Sequence, residues 1–200
     1  MTQLLLLSGS PRQASFNTRL LHHLTPYLEA GASVVLAQSC APDLPMFNQD
    51  IEHEPNVKPQ VAAWHHLLMG CDGVVVASPE YNGQLTPYLK NMVDWVSRLA
   101  YIDPAFQNPF LDTPILLASA STGGSGGSVG LPSARALFGY VGGVVFGESI
   151  CVPYAHQAWT DMGYFFDPEF EERLQNVCQR FLALTQAQVK AKPSAFPEKL

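Results

Sequence analysis

Three short stretches of this chain concentrate residues that could do chemistry, and each is built from hydroxyls, amides and glycine. The first runs Ser8-Gly9-Ser10-Pro11-Arg12-Gln13-Ala14-Ser15-Phe16-Asn17-Thr18. Its donors suit an anion, and Arg12, the one cation among them, carries a planar fork that matches phosphate oxygens. Neither the lysine of a GxxxxGK[ST] loop nor the spacing of GxGxxG is present, so the expected ligand is a lone phosphate without magnesium. The second stretch is Ser78-Pro79-Glu80-Tyr81-Asn82-Gly83-Gln84. Asn-Gly is a strong turn signal that exposes main-chain N–H groups, and with Tyr81 as an aromatic surface such groups could read a planar heterocycle. The third, Ser119 to Ser128, reads SASTGGSGGS and has no bulky side chain. Something must approach that backbone closely, or the loop must move. Each stretch also has a plainer reading as turn and cap formers, with Glu80 and Tyr81 solvated.

The elements around these stretches place all three at one edge of a sheet. Leu4 to Leu7 is a run of four branched apolar residues, suited to a strand buried on both faces. Beyond the first loop the spacing of Leu20, Leu21, Leu24 and Leu28 is helical, with Ser15 or Asn17 as the N-cap. A strand thus feeds a helix N-terminus, where unpaired N–H groups and a partial positive charge favour an anion. Ser33 to Ala37 reads as a second strand, and Gly73 to Ala77 as a third, after a helix marked by Val57, Val61, Trp64 and Leu68 and ended by Gly70. The loop from Gln38 to Asn56 is read as an active-site rim. A helix over Thr86 to Arg98 follows, then strands at Pro114 to Ala118 and at Gly143 to Phe146, the last continuing towards Val152. Between those two strands lies a weakly patterned helix through Ala134, Leu137, Phe138 and Val141. The final helix rests on Phe170, Leu174, Val177, Phe181 and Leu184, and a Pro-containing tail closes the chain.

Five buried strands alternating with helices predict a doubly wound parallel sheet, since right-handed crossovers cover both faces. The simplest fit is the flavodoxin-like strand order 2-1-3-4-5. Ligands then sit beyond the carboxyl ends of the strands, where the winding reverses, which is where the three loops fall.

Composition narrows the function. At 200 residues and 47% hydrophobic, the chain is expected to form one domain over residues 1 to 200. No apolar run approaches the ~20 residues of a membrane span and no basic leader precedes the first strand, so a cytoplasmic location is expected. A formal charge of −6 argues against nucleic acid or an anionic membrane as partner. Cys40, Cys71, Cys151 and Cys178 are widely spaced, so reduced thiols are expected instead of a disulfide framework or thiolate metal site. The adjacent pairs His22-His23 and His65-His66 point to different helix faces, and no metal is expected.

SGSPRQASFNTRLL, SPEYNGQLTPYLKNMVDWVSR and SASTGGSGG, in this order and at these spacings, resemble the NADPH-dependent FMN reductase family, which includes chromate, quinone and azo-dye reductases. The resemblance covers most of residues 3 to 150. It implies a non-covalent FMN whose phosphate meets Ser8, Ser10, Arg12, Ser15, Phe16 and Asn17. It further implies a ring bordered by Pro79, Glu80, Tyr81, Asn82 and Gly83 and closed over by Ser119, Ser121, Gly123 and Gly124. NADPH or NADH would be the electron donor, and a quinone, free flavin, azo compound or metal oxyanion such as chromate the acceptor, in a ping-pong order with no catalytic side chain. Pro11 and Thr122 depart from the family pattern, where an aliphatic residue and a proline are common. Members resemble homodimers or homotetramers with the Thr86 to Arg98 helix near the contact, which would bring Lys90, Asp94 and Trp95 there; an exposed Lys90/Asp94 pair and a core Trp95 are the plainer alternative. For the 2′-phosphate of NADPH, Arg98, Arg135 or a partner chain are the candidates.

Two rival readings remain. A non-enzymatic flavin-binding electron carrier or sensor would share the fold. Gly123-Gly124-Ser125-Gly126-Gly127 also satisfies G-x-S-x-G, the turn of a serine hydrolase using Ser125, although His156 followed by Asp161 gives the wrong order of triad partners.

Overall fold

In a computed structural model, which describes residues 1–40, 43–163, 165 and 167–191, strands and helices alternate along the chain. The strands are β1 (Gln3–Ser8), β2 (Ser33–Ala37), β3 (Gly73–Ala77), β4 (Pro114–Ala120) and β5 (Val144–Val152). The helices are α1 (Phe16–Glu29), α2 (Lys58–Met69), α3 (Pro87–Ile102), α4 (Leu131–Tyr140) and α5 (Pro168–Ala191). All five strands pair parallel in the order β2-β1-β3-β4-β5. This is the flavodoxin-like α/β fold expected from the sequence.

The period of two along each strand divides the core into two layers. Leu5, Leu7, Val74, Val76, Ile115 and Leu117 face α2, α3 and α4. Leu4, Leu6, Val75, Leu116 and Ala118 face α1 and α5. Because both faces are covered, the central strands carry no polar alternation, and Leu4 to Leu7 are at most 1% exposed.

Several boundaries differ from the sequence expectation for local reasons. β4 runs on to Ala120, because its last residues pair with Cys151 and Val152 of β5, and Asn17 bonds the other edge of Ala120. β5 begins at Val144 and bulges: Ile115 pairs with Val145 but Leu117 pairs with Ser149. Arg135 holds the bulge, donating to the Phe146 carbonyl at 2.8 Å and to Ser149 Oγ at 3.0 Å. On α5 the buried positions include Leu174, Val177, Cys178, Phe181, Leu182 and Thr185, whereas Leu184 is half-buried. On α2 His65 is buried and Trp64 half-buried, because the His65 ring bonds the Gln107 carbonyl at 2.7 Å. The Pro-containing tail lies outside the described residues.

The described part of the Gln38 to Asn56 segment is fastened to α1 and α3: Thr18 donates to the Gln38 carbonyl, and α3 holds the residues beyond. Asn91 and Trp95 of α3 hold it: both donate to the Pro45 carbonyl, at 2.9 and 2.7 Å, and Asn91 Oδ1 accepts from Phe47 N–H at 2.7 Å. Trp95 is therefore core, 2% exposed, while Lys90 and Asp94 form an exposed pair at 2.6 Å. Arg98 likewise faces this segment, in a two-pronged pair with Glu52. Among the described residues no helix is long and apolar enough to cross a membrane.

All four cysteines are free. Burial pushes the Cys40 and Cys178 thiols up to about 12, and burial followed by the nearby Asp72 charge pushes Cys71 up to about 11. Iodoacetamide at about pH 8 should therefore leave these three unmodified in the native protein and label all of them in urea. Mass spectrometry of the labelled chain checks this, and rapid native labelling of Cys40 or Cys178 would contradict the packing.

Candidate cofactor site at the carboxyl ends of β1, β3 and β4

A cleft of about 160 Å³ lies where the winding reverses between β1 and β3. It is lined by Ser10, Arg12, Ser15, Phe16 and Asn17 from the first loop, Pro79, Glu80 and Tyr81 from the second, and Ala120, Ser121 and Thr122 from the third. Nine of the residues singled out in the sequence are thus brought together. Ser8, Asn82, Gly83, Ser119, Gly123 and Gly124 fall outside the lining. Ala120 and Thr122 join it, and both lie within the SASTG stretch that had already signalled a ligand.

The first loop spends its side chains on itself. Ser15 caps α1, its Oγ accepting from the N–H groups of Asn17 at 3.2 Å and Thr18 at 3.3 Å. Ser8 Oγ and Thr18 Oγ1 are 2.8 Å apart and buried, and Thr18 Oγ1 donates to the Gln38 carbonyl. Asn17 Nδ2 donates to the Ala120 carbonyl and Asn17 Oδ1 accepts from Ala120 N–H, both at 2.9 Å. This carboxamide therefore behaves as a strand residue, pairing α1 to the end of β4. What stays free is of another kind. The N–H groups of Ala14 and Phe16 have no partner among the described residues, the first turn of α1 holds no acid, and the exposed Arg12 guanidinium is unpaired. Ser10 Oγ accepts from Arg12 N–H at 3.3 Å and keeps its own proton to donate. The result is a positive helix end with an arginine beside it, a donor set for an anion.

The second loop is a hairpin of two residues. Tyr81 and Gln84 exchange N–H···O bonds of 2.9 and 3.1 Å, with Asn82 at φ 51° and Gly83 at φ 74°, the left-handed pair that an Asn-Gly turn of this kind requires. Glu80 reaches across the cleft wall, its Oε2 accepting from Gly130 N–H at 2.9 Å at the start of α4. The carboxylate is thereby placed at a helix N-terminus, where its charge is favoured. Thr86 caps α3 and also donates to the Gly9 carbonyl at 2.6 Å, locking the second loop to the first.

The third loop resolves the puzzle of its composition. A Cβ on Gly124 would meet the Tyr154 hydroxyl at 2.8 Å, and one on Gly127, at φ 87°, would overlap Ser119 Oγ at 1.8 Å. The close approach comes from the chain itself, above all from the segment after β5. That segment is a fourth loop at the site that the sequence reading missed. Tyr154, at φ 47°, donates its N–H to the Gly123 carbonyl, and Ala155 donates to that of Ser121. Trp159 stacks parallel to Phe16 at 6.3 Å. Its only sequence signal is the aromatic cluster Tyr154, Trp159, Tyr164, Phe165, which follows no strand or helix period. Ser125 is exposed and its hydroxyl accepts from Gly127 N–H; among the described residues no histidine contacts it, so nothing there activates a nucleophile.

A family model described as NADPH-dependent FMN reductase matches residues 2–157. The chain belongs to this family. It is a family of oxidoreductases that join NADPH to FMN. The quinone reductase of Escherichia coli (strain K12) is 33% identical over 126 residues, a match that spans 63% of this FMN reductase family member and 63% of that relative, less than two thirds of its length. A probable NADPH:quinone oxidoreductase 2 of Oryza sativa subsp. japonica is 31% identical over 175 residues, 86% of this chain and 82% of the relative. Among solved structures, FerB, a flavoenzyme NAD(P)H:(acceptor) oxidoreductase from Paracoccus denitrificans, superposes with a TM-score of 0.78 at 23% identity, over 94% of this chain and 99% of that one. That likeness carries the fold.

Two outcomes follow from the ties just described. Asn17→Ala strands the Ala120 N–H and carbonyl, and a loss of about 2–4 kcal/mol is expected by urea unfolding; a loss below about 0.5 kcal/mol would deny the pairing its role. Burial raises the Glu171 carboxyl, but hydrogen bonds from Tyr27, His23 and Phe165 N–H outweigh it and hold the group below its usual range. A depressed folded value gives stability that is present above the unfolded pKa and is lost as pH falls through the folded one. Midpoints of urea unfolding between pH 6 and pH 3 should fall more for the wild type than for Glu171→Gln.

Proposed function

We propose that this chain is an NAD(P)H-dependent FMN oxidoreductase of the quinone-reductase type, acting as one flavodoxin-like unit over residues 1–200. The observation that carries the reading is the unpaired donor set at the start of α1. It shares a cleft with an aromatic hairpin on one side and a short-side-chain loop on the other. A phosphate dianion suits Arg12, the Ser10 hydroxyl and the free N–H groups of Ala14 and Phe16, with Ser15 and Asn17 shaping the turn that presents them. Ser8 supports that turn from beneath through Thr18. Pro79, Tyr81 and the exposed main chain of Asn82 and Gly83 suit the edge of a planar ring, and Ser121, Gly123 and Gly124 suit its other side. Glu80 acts through Gly130, fixing the distance between these walls.

FMN supplies, when bound, reversible two-electron chemistry between nicotinamide and acceptor. The chain's own work is to hold and orient. Tyr81, 39% exposed, and the exposed Thr122 leave one mouth to the cleft, which nicotinamide and acceptor would use in turn, a ping-pong order. No acid, base or nucleophile is needed from the protein, and none is paired for one in the lining. A quinone, free flavin, azo compound or chromate fits such a mouth.

A homodimer or homotetramer is the assembly we favour. Tyr101 and Tyr140, 84% and 92% exposed, flank a groove of about 370 Å³ between the ends of α3 and α4, an apolar surface of the kind that a second copy covers. The four free cysteines favour a reducing, cytoplasmic setting.

The purified protein should show flavin absorbance bands that bleach within seconds of adding NADPH under argon. Arg12→Ala should weaken FMN by about 10- to 100-fold, a charge-assisted hydrogen bond's worth, read by fluorescence titration of the apoprotein. A protein that takes up no FMN, or an Arg12→Ala variant that holds it unchanged, would overturn the assignment.

A further inference from the structure

NADPH differs from NADH by a single phosphate on the adenosine 2′ position. A chain that prefers NADPH must present a cation to that phosphate, and the structure accounts for most of its cations elsewhere. Lys58 pairs with Asp103, Lys90 with Asp94, Arg98 with Glu52 and Arg180 with Glu148. Arg135 is taken up by the β5 bulge. The two arginines that the sequence offered for this task, Arg98 and Arg135, are thus both committed. Arg173 lies over the Phe170 ring and lines a separate cavity against Glu148 and Cys151. Arg12 belongs to the cleft itself. Among the described residues one exposed, unpaired cation then remains beside it, Arg19.

Arg19 sits one turn into α1, its N–H bonded to the Ser15 carbonyl at 2.9 Å. Its guanidinium carbon lies 4.6 Å from the centroid of the Trp159 ring. That indole is parallel to Phe16, which lines the cleft, and is packed on its other contacts by Phe165 at 4.8 Å. Phe165 in turn donates its N–H to Glu171, whose carboxylate also binds His23 and Tyr27 of α1. The indole is therefore a fixed platform, 7% exposed, and the arginine on it is exposed. Stacking on an aromatic face restricts a guanidinium without using the N–H groups at its edge. Part of the ordering cost of a long side chain is met before any ligand arrives, and no hydrogen bond among the described residues occupies the guanidinium's donors.

We infer that Arg19, propped on Trp159, is the contact that reads the 2′-phosphate and makes this chain prefer NADPH to NADH. The inference rests on the FMN reductase reading above. It assigns the two free arginines of this edge separate anions: Arg12 the phosphate held at the helix end, Arg19 the phosphate of the arriving nucleotide. Arg19 is a specificity residue, remote from the atoms that react.

The test uses the FMN-loaded protein with a benzoquinone as acceptor and compares wild type, Arg19→Gln and Arg19→Lys. The wild type should favour NADPH in kcat/KM. In Arg19→Gln the NADPH-to-NADH ratio of kcat/KM should fall by about tenfold or more, the scale of one lost charge-assisted hydrogen bond, with Arg19→Lys between the two. Inhibition by 2′,5′-ADP should weaken in step, while inhibition by 5′-AMP should not follow it. A merely structural role for the stack would lower both nucleotides together and leave the ratio alone, which overturns the proposal. A wild type without NADPH preference overturns it as well. Loss of FMN affinity at an unchanged ratio would reassign Arg19 to the FMN phosphate. A wild type that binds no FMN and oxidises neither nucleotide would instead overturn the FMN reductase reading on which this rests.

Discussion

The geometry of the cleft depends on one reciprocal pair of hydrogen bonds, the Asn17 carboxamide against the backbone of Ala120. α1 leaves the sheet from β1, and β3 separates β1 from β4. Neighbouring strands lie about 4.8 Å apart, so the third loop begins roughly 10 Å from the strand that feeds the helix. Asn17 closes that gap. A side chain with one donor and one acceptor imitates the missing ladder, so the floor of the cleft at the start of α1 and its wall at Ser121 and Thr122 are held in one frame. The other ties are of the same kind. Thr86 joins the second loop to Gly9, Glu80 joins it to Gly130, and Ser15 closes the cap. The site is thus a set of three loops fastened to one another by polar side chains, and its open donors are chiefly main-chain N–H groups and arginine.

That division has an energetic reason. Buried polar groups left unpaired cost about 1–3 kcal/mol each, so side chains such as Asn17, Ser8 and Thr18, which the fold encloses, must be satisfied from within. N–H groups at the rim of the cleft and the exposed Arg12 keep their water until a ligand replaces it. A ligand exchanges one set of hydrogen bonds for another and gains the field of the helix end. The glycines of the third loop follow the same economy of space. Tyr154 occupies the place of a Gly124 side chain and Ser119 that of a Gly127 side chain. What reads in the sequence as room for a ligand is, at these positions, room for the chain's own neighbours.

The sheet was legible because strands buried on both faces must be continuously apolar. Leu4 to Leu7, the GVVVA of β3 and the PILLA of β4 left no other assignment, and β2 and β3 end where the apolar runs end. The Asn82-Gly83 turn and the Ser15 cap were legible because their backbone conformations admit few residues. Positions set by packing between elements were not. Leu182 and Thr185 lie beneath α5 where Leu184 was expected, because the helix lies against both α1 and the sheet and so buries a broader face than a single stripe. The β5 bulge follows from an arginine eleven residues before Phe146, a relation no strand pattern encodes. In the site, residue types announced donors, but only the fold says which donors are already used. Asn17 and Arg12 look alike as phosphate ligands in the sequence and have opposite fates in the structure.

The functional reading gains from what the cleft lining leaves idle. Its hydroxyls, on Ser10, Ser15, Ser121 and Thr122, have no histidine or free carboxylate beside them among the described residues, and its one acid, Glu80, is engaged at the start of α4. A site arranged for proton transfer or nucleophilic attack would pair a titratable group with the atom it serves. This one pairs its acid with a backbone N–H and leaves main-chain N–H groups and Arg12 free at the start of α1. On the proposed reading the protein's contribution is placement: of a phosphate by the helix end, of a ring by two loops that Asn17, Thr86 and Glu80 fasten to their neighbours. Changes that disturb those three residues act on every part of the site at once, even though two of them line it only with groups that are already bonded elsewhere.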